Sequence, residues 1–210
     1  MRTLVTCGPT QEPIDSVRYI TNASSGKMGF AVASEAKKRG HEVCLVCGPT
    51  PLPPPKEVRV IDVRTAAEMA EATVRELKKG YDVFVCAAAI ADYTPAEVAL
   101  GKIKSGEQLT ITLKPTRKLT KMVRDAFRDL FIVAFKAEYD VTEDALVAAA
   151  YGKLASEGLN LIVANDIGRN RFGSDSSSVL FMKASGVAGK AAGSKDVIAG
   201  RLWDLIEASV

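Results

Sequence analysis

The run Ile20-Thr21-Asn22-Ala23-Ser24-Ser25-Gly26-Lys27-Met28-Gly29 is the stretch of this chain best suited to chemistry. It sets three hydroxyls, a neutral amide and two glycines just ahead of a helical spacing of apolar residues, Phe30, Val32, Ala33 and Ala36. Backbone N–H groups at the start of a helix, beside hydroxyls, form a site for an anion. A phosphate group is therefore expected there. Two known phosphate motifs do not account for it. The P-loop needs Gly six residues before Lys27 and a hydroxyl residue after it, where this chain has Thr21 and Met28. The dinucleotide fingerprint needs three glycines directly after the first strand, and only Gly8 stands there. A packing explanation stands beside the phosphate: Gly26 and Gly29 would let the helix settle closely on a sheet.

Cysteine chemistry is a poorer prospect. Cys44 and Cys47 are spaced C-x-x-C, but they fall in an apolar run read as a strand. An offset of three puts the two side chains on opposite faces there. A zinc site would need two more ligands, and His41 is the sole histidine of the chain. The cysteines are read as buried core residues that hold no metal.

The elements that must position these groups alternate between strand and helix. Strands are expected at Thr3–Cys7, Glu42–Cys47, Val58–Val63, Asp82–Ala89, Gln108–Leu113, Phe131–Phe135 and Leu159–Ala164, with an edge strand at Ser178–Lys183. Helices are expected after Gly29, from a Thr65/Glu68 capping box to Lys79, over Lys118–Arg128 and Glu143–Glu157, and from a Ser194 cap to Ile206. A Gly/Ala-rich turn separates Lys183 from Ser194. The segment from about 94 to 106 shows no period and is read as an irregular flap insertion. The fold class is a doubly wound, mostly parallel, Rossmann-like α/β sheet, taken as one domain over residues 1–210. Ligands of such sheets bind beyond the carboxyl ends of the strands. The polar strand ends Gly8-Pro9-Thr10, Ala91-Asp92-Tyr93, Lys136-Ala137-Glu138 and Asn165-Asp166 would gather on that edge.

The 47% hydrophobic and 25% charged content is that of an ordinary globular protein. A net charge of +3 is too mild for a nucleic-acid binder. Val83–Ala91 is too short an apolar run to span a bilayer, and Met1-Arg2 leads straight into a strand. A cytoplasmic protein with no membrane partner is expected.

Taken together, the block from Gly8 through Arg18 to Gly29, with Ala87–Tyr93, Lys102-Ile103-Lys104 and Val163–Asp166, resembles phosphopantothenate–cysteine ligase. This is the phosphopantothenoylcysteine synthetase domain of coenzyme A biosynthesis. The resemblance implies that the carboxylate of 4′-phosphopantothenate attacks the α-phosphate of CTP or ATP, with Mg²⁺ on the phosphates. The acyl-nucleotide then meets the amine of L-cysteine. It implies catalytic roles for Asn22, Arg18 and Lys102, with Asn22 holding the intermediate. It implies nucleotide contacts from Gly8, Pro9, Thr10, Ser24, Ser25, Gly26, Ala89, Ala91, Asp92, Lys102, Lys104 and Phe135. Asp92 would hold ribose hydroxyls or magnesium. Lys102 and Lys104 would belong to a flap closing over the nucleotide, across a homodimer. A flavin decarboxylase is the expected fused or associated partner. Ser105 stands where many members have a further lysine, and Lys114–Leu119 replaces a bacterial Asn-Pro-Asp-Ile-Leu, which leaves CTP or ATP open. Two other classes were weighed on the residues. A nicotinamide-dependent oxidoreductase lacks its glycine turn here, and none of the five tyrosines is followed four residues on by lysine. An inert nucleotide-binding module would be expected to lose Asn22 or the flap lysines, which are present.

Overall fold

The computed structural model describes residues 1–106, 108–168 and 174–210. Among them, eight strands form one sheet. In chain order the elements are β1 (Arg2–Cys7), β2 (Gln11–Pro13), β3 (Tyr19–Thr21), α1 (Lys27–Lys38), β4 (Glu42–Cys47), β5 (Arg59–Asp62), α2 (Ala66–Leu77), β6 (Val83–Cys86), β7 (Tyr93–Pro95), β8 (Leu113–Pro115), α3 (Leu119–Ala126), β9 (Phe131–Glu138), α4 (Glu143–Glu157), β10 (Leu161–Asp166), β11 (Ser176–Lys183), β12 (Gly186–Ser194) and α5 (Lys195–Glu207). The sheet order is β5-β4-β1-β6-β9-β10-β11-β12. The first six are parallel, and β11 and β12 add on antiparallel. This is the expected Rossmann-like α/β class. The chain winds outward from β1 in one direction and then from β6 in the other. The switch point lies between those two strands, where such folds open a crevice.

The parallel strands are buried on both faces, so they read as continuous apolar runs. On one face α1 and α5 cover Val5, Leu45, Val85 and Val163, and the fully buried Trp203 donates its indole N–H to the Val32 carbonyl at 2.9 Å. On the other face Leu4, Val46, Phe84 and Ile132 pack against residues of α2, α3 and α4. Cys47 falls in the first cluster and Cys44 in the second, on opposite faces as the strand period requires. Both are buried.

Three sequence expectations are corrected. The Asp82–Ala89 strand ends at Cys86, because Ala88 and Ala89 turn their N–H groups to Thr6 Oγ1 and the Gly8 carbonyl. Gln108–Leu113 is not a strand; only Leu113–Pro115 pairs, with Tyr93–Pro95. The Gly/Ala-rich "turn" after Lys183 is the nine-residue edge strand β12, and β11 lies inside it. Small residues hid a strand that β11 alone specifies. No described helix is long and apolar enough to cross a membrane.

Two local features set the site. Gly29 lies in the first turn of α1, against β1. A Cβ there would sit 2.5 Å from Cys7 Cβ, so only glycine lets the helix approach the strand this closely. Elsewhere, two small hairpin sheets, β2–β3 and β7–β8, stand outside the main sheet. Between them Asp15, buried, accepts the N–H groups of Val17 (2.8 Å) and Arg18 (2.7 Å) on one oxygen and that of Ile103 (3.2 Å) on the other. Arg18 completes the clamp, 3.5 Å from Asp15 and donating to the Ile103 carbonyl at 3.0 Å. Ile103, between Lys102 and Lys104, is thus held on both its backbone groups.

Gly29→Ala should cost about 1–3 kcal/mol in chemical denaturation through overpacking, although alanine is the better helix former. Gly152→Ala in α4, where an added Cβ meets nothing within 4 Å, should instead gain up to about 1 kcal/mol. Equal behaviour of the two variants would remove the close approach as a constraint.

Hydrogen bonds from the Val17 and Arg18 amides hold the Asp15 carboxyl below its usual range. A carboxyl held low contributes stability that is complete above its ordinary value, 3.8, and is lost as pH falls through the folded value. Wild type should therefore melt above Asp15→Asn at neutral pH, and the gap should close below about pH 4. A gap that is constant down to acid pH would mean that the ionised carboxyl contributes nothing to the clamp.

Candidate functional site

At the switch point the chain opens a cleft of about 350 Å³. Its walls come from the loop before α1, the segment after β6, the first turn of α3, and the ends of β9 and β10. Lys153 of α4 and Lys195 at the head of α5 also line it. These are the carboxyl ends of the parallel strands, as expected.

The floor is built by loop-to-loop bonds. Beyond β1 and β6 the chain continues side by side: Pro9 bridges Ala89, and Ala89 donates to the Gly8 carbonyl at 2.9 Å. Buried Thr10 accepts the Ala91 N–H on Oγ1 at 3.0 Å. Gly8, Pro9, Thr10 and Ala91 therefore lie under the cleft, and none is among its lining residues. Ala89 does line it.

Asn22 faces the cleft, and its side-chain amide donates to the carbonyls of Ala89 (3.1 Å) and Ile90 (3.2 Å). Two carbonyl partners fix which end of the amide is nitrogen. Asn22 thus ties the loop before α1 to the segment after β6. Ser24, Ser25 and Gly26 line the cleft, with Ser24 Oγ accepting the Gly26 N–H at 3.4 Å and Thr50 holding the Ser25 carbonyl at 2.8 Å. Gly26 caps α1 at φ 79°, left-handed backbone that favours glycine. Both explanations of the glycines thus have a place here: Gly29 packs, and Gly26 turns the chain into the cleft.

Helix capping differs among the five described helices. Thr65, Thr142 and Ser194 cap α2, α4 and α5 with side-chain oxygens, and each of those helices has an acid in its first turn. The heads of α1 and α3 have neither a side-chain cap bond nor a first-turn acid. Both open on the cleft. Uncapped N–H groups and the positive end of the helix dipole remain directed at whatever binds. The side chains agree: Lys27, Arg117, Lys118, Lys136, Lys153 and Lys195 line the cleft, against Asp92 as the one acid among the described lining residues. Asp92 is bound to Lys118 at 2.6 Å. The Asp92 carbonyl accepts the Thr116 N–H at 2.9 Å, so this contact also seats the head of α3. Phe135 lines the wall, half-buried, beside Lys136, which pairs with Glu138 at 2.8 Å. Cys86 lies on the floor, and burial pushes its thiol up to about 11. It is protonated at neutral pH and is no nucleophile there.

Arg18, Lys102 and Lys104 are not on the cleft wall. Arg18 holds the backbone of Ile103, between Lys102 and Lys104. Asp166 is buried and accepts the N–H groups of Asp140 and Gly168, both at 2.8 Å, as a backbone partner. Sequence reasoning missed Lys118, Lys153 and Lys195 as cleft residues. Lys118 carried a signal, its place at the head of a helix after a proline turn. Lys153, in mid-helix, and Lys195, behind an ordinary serine cap, carried none.

The whole chain, residues 1–210, matches the family described as DNA/pantothenate metabolism flavoprotein C-terminal domain. It is 44% identical over 207 residues to the coenzyme A biosynthesis bifunctional protein CoaBC of Thermococcus kodakarensis, covering 98% of this chain and 51% of that protein. It thus spans about half the length of that relative. Among solved structures it is similar to the C-terminal domain of a CoaBC protein, with 33% identity, a TM-score of 0.81 and coverage of 99% and 94% of the two chains. It is also similar to the DNA/pantothenate metabolism flavoprotein of Streptococcus pneumoniae, with 28% identity, a TM-score of 0.88 and full coverage of both. An uncapped, basic cleft at the switch point of a Rossmann-like sheet and a match along its whole length place this chain in the DNA/pantothenate metabolism flavoprotein C-terminal domain family.

Proposed function

We propose that this chain joins 4′-phosphopantothenate to L-cysteine through an acyl-nucleotide, with CTP or ATP as co-substrate. One observation carries the reading. The two helix heads left uncapped, α1 and α3, both open on a cleft with six basic side chains and one acid among its described lining residues. The CoaBC relative, named for coenzyme A biosynthesis, supports the choice of substrates. In the first step the substrate carboxylate attacks the α-phosphate and pyrophosphate leaves. In the second the amine of cysteine attacks the acyl carbon, and the nucleoside monophosphate leaves with the anhydride oxygen. Both steps gather negative charge on oxygen and need preorganised donors more than a covalent group. The head of α1 and Lys27 meet the phosphates, and Phe135 packs on the base. Asn22, which ties the Ala89–Ile90 segment to the loop before α1 on the cleft wall, holds the acyl-nucleotide.

Magnesium belongs with the nucleotide. Among the described residues no three His, Cys, Asp or Glu side chains group as a metal site needs. Asp92, the carboxylate expected to take it, is engaged by Lys118. These residues do not fit a resident ion, so Mg²⁺ enters as the counter-ion of the phosphates. The reading includes action in the cytoplasm and a flavin decarboxylase, fused or associated; that relatives are named as bifunctional proteins supports a fusion.

Pyrophosphate release from CTP and from ATP, each with 4′-phosphopantothenate and Mg²⁺, tests the reading. Release with either nucleotide, followed by amide formation on adding cysteine, is expected. No release with both would end it. Asn22→Ala should slow turnover roughly 10²–10³-fold while nucleotide affinity changes only a few-fold. A normal rate with a lowered melting temperature would leave Asn22 as a loop tie alone.

A homodimer through the hairpin side completes the proposal. Val17, Tyr19, Tyr93, Val98, Leu100 and Leu113 are exposed on the two hairpins and the segment between them. Large apolar side chains gathered on one side mark an interaction surface. Sedimentation at micromolar concentration should give a dimer, and Leu100→Glu should shift it toward monomer; a wild-type monomer would remove this part.

A further inference from the structure

Lys195 is the first residue of α5, and its ammonium reaches the cleft that α1 opens on. It lies 168 residues along the chain from Lys27, another lining residue of that cleft. Its Nζ donates to the hydroxyl of Ser177, a buried and uncharged partner. The carboxylate that acts on it, Asp175, is bonded to Lys27 at 2.6 Å. A partly buried ammonium resting on a hydroxyl is costly unless an anion completes its shell. Burial first, and then repulsion from Lys27, lower its proton affinity, which an incoming anion would restore.

We infer that Lys195, held by Ser177 and set beside Lys27, forms a phosphate subsite at the β10–β11 end of the cleft. It is separate from the head of α3, where Lys118 stands. The ligand chemistry is a phosphate oxyanion. Two sources could supply it: the polyphosphate tail of the nucleotide or the phosphate monoester of the other substrate. The proposal rests on the ligase reading only for the names of those sources.

Equilibrium titration with inorganic pyrophosphate, and separately with 4′-phosphopantothenate, at fixed ionic strength tests it. Lys195→Met should weaken one of the two by about tenfold, as expected for losing a charge-assisted contact, and should flatten its salt dependence. Lys195→Arg, which keeps the charge, should recover most of the affinity. Ser177→Ala, which keeps the ammonium but frees it, should cost less than Lys195→Met. Lys183→Met is the charge-matched control: Lys183 is bonded to Ser209 and lies outside the cleft wall, so its loss should leave both affinities unchanged. Weakening confined to pyrophosphate assigns the nucleotide tail, and weakening confined to the monoester assigns the second substrate. If Lys195→Met does not fold, the Lys195→Arg and Ser177→Ala pair decides: full wild-type affinity in Ser177→Ala overturns the subsite. Lys195→Met binding both anions as tightly as Lys183→Met also overturns it. A protein that turns over no substrate, yet loses anion affinity in Lys195→Met, would lose the ligase reading and keep this subsite.

Discussion

Past Cys7 and Cys86 the two middle strands leave the sheet but do not separate. The Pro9–Ala89 bridge, the Ala89 N–H on the Gly8 carbonyl and the Ala91 N–H on the Thr10 hydroxyl oxygen keep the two loops in register beyond the strand ends. Everything functional is mounted on that extension. It gives the cleft a floor and offers Asn22 its two carbonyls. It also fixes Asp92, which seats the head of α3 through Lys118 and Thr116. Backbone groups in a buried loop must find partners, and here the partners are one another. The floor is therefore rigid without belonging to the sheet.

The alternation of strand and helix was legible because parallel strands buried on both faces read as apolar runs and the helices carry ordinary caps. Thr65/Glu68 and Ser194 act as the caps expected, and Thr142, not singled out in the sequence, caps α4. What the sequence hid was set by tertiary pairing. β12 is built of glycine and alanine, whose propensity says turn, and it is a strand because β11 lies beside it. Ala87–Ala89 reads as strand on composition, yet its N–H groups go to a neighbouring loop. Of the site, the segment from Asn22 to Gly26 could be found because small, hydroxyl-rich residues before a helix have few other uses. Thr10 and Ala91 could be placed on the right edge but not above or below the floor, since one residue of depth is invisible to spacing. Arg18 illustrates the limit. Its chemistry suits a phosphate, and no spacing shows that it also donates to the Ile103 carbonyl.

The electrostatics follow from omission as much as from charge. A helix head without a cap forgoes roughly 1 kcal/mol. α1 and α3 both forgo it at the cleft, while α2, α4 and α5 are capped. Among the cleft lysines one stands apart. Lys27, Lys118, Lys136 and Lys153 in the cleft each pair with a carboxylate, whereas Lys195 beside them rests on a hydroxyl. A ligand carrying several negative charges would satisfy both debts together, with the α1 loop as its first point of contact.

No loop separates β12 from α5: Ser194 ends the strand and caps the helix. The head of the last helix is therefore indexed by strand register, and that register already carries an irregularity between Phe181 and Met182. One residue of slip along β12 would carry Lys195 about 3.4 Å and turn it toward the other face of the sheet. Gly/Ala strands have few side chains to resist such slippage. An insertion in the hairpin at the far edge of the molecule would thus be read out inside the cleft, so the length of this hairpin should tolerate far less drift over evolutionary time than an exposed connection ordinarily does.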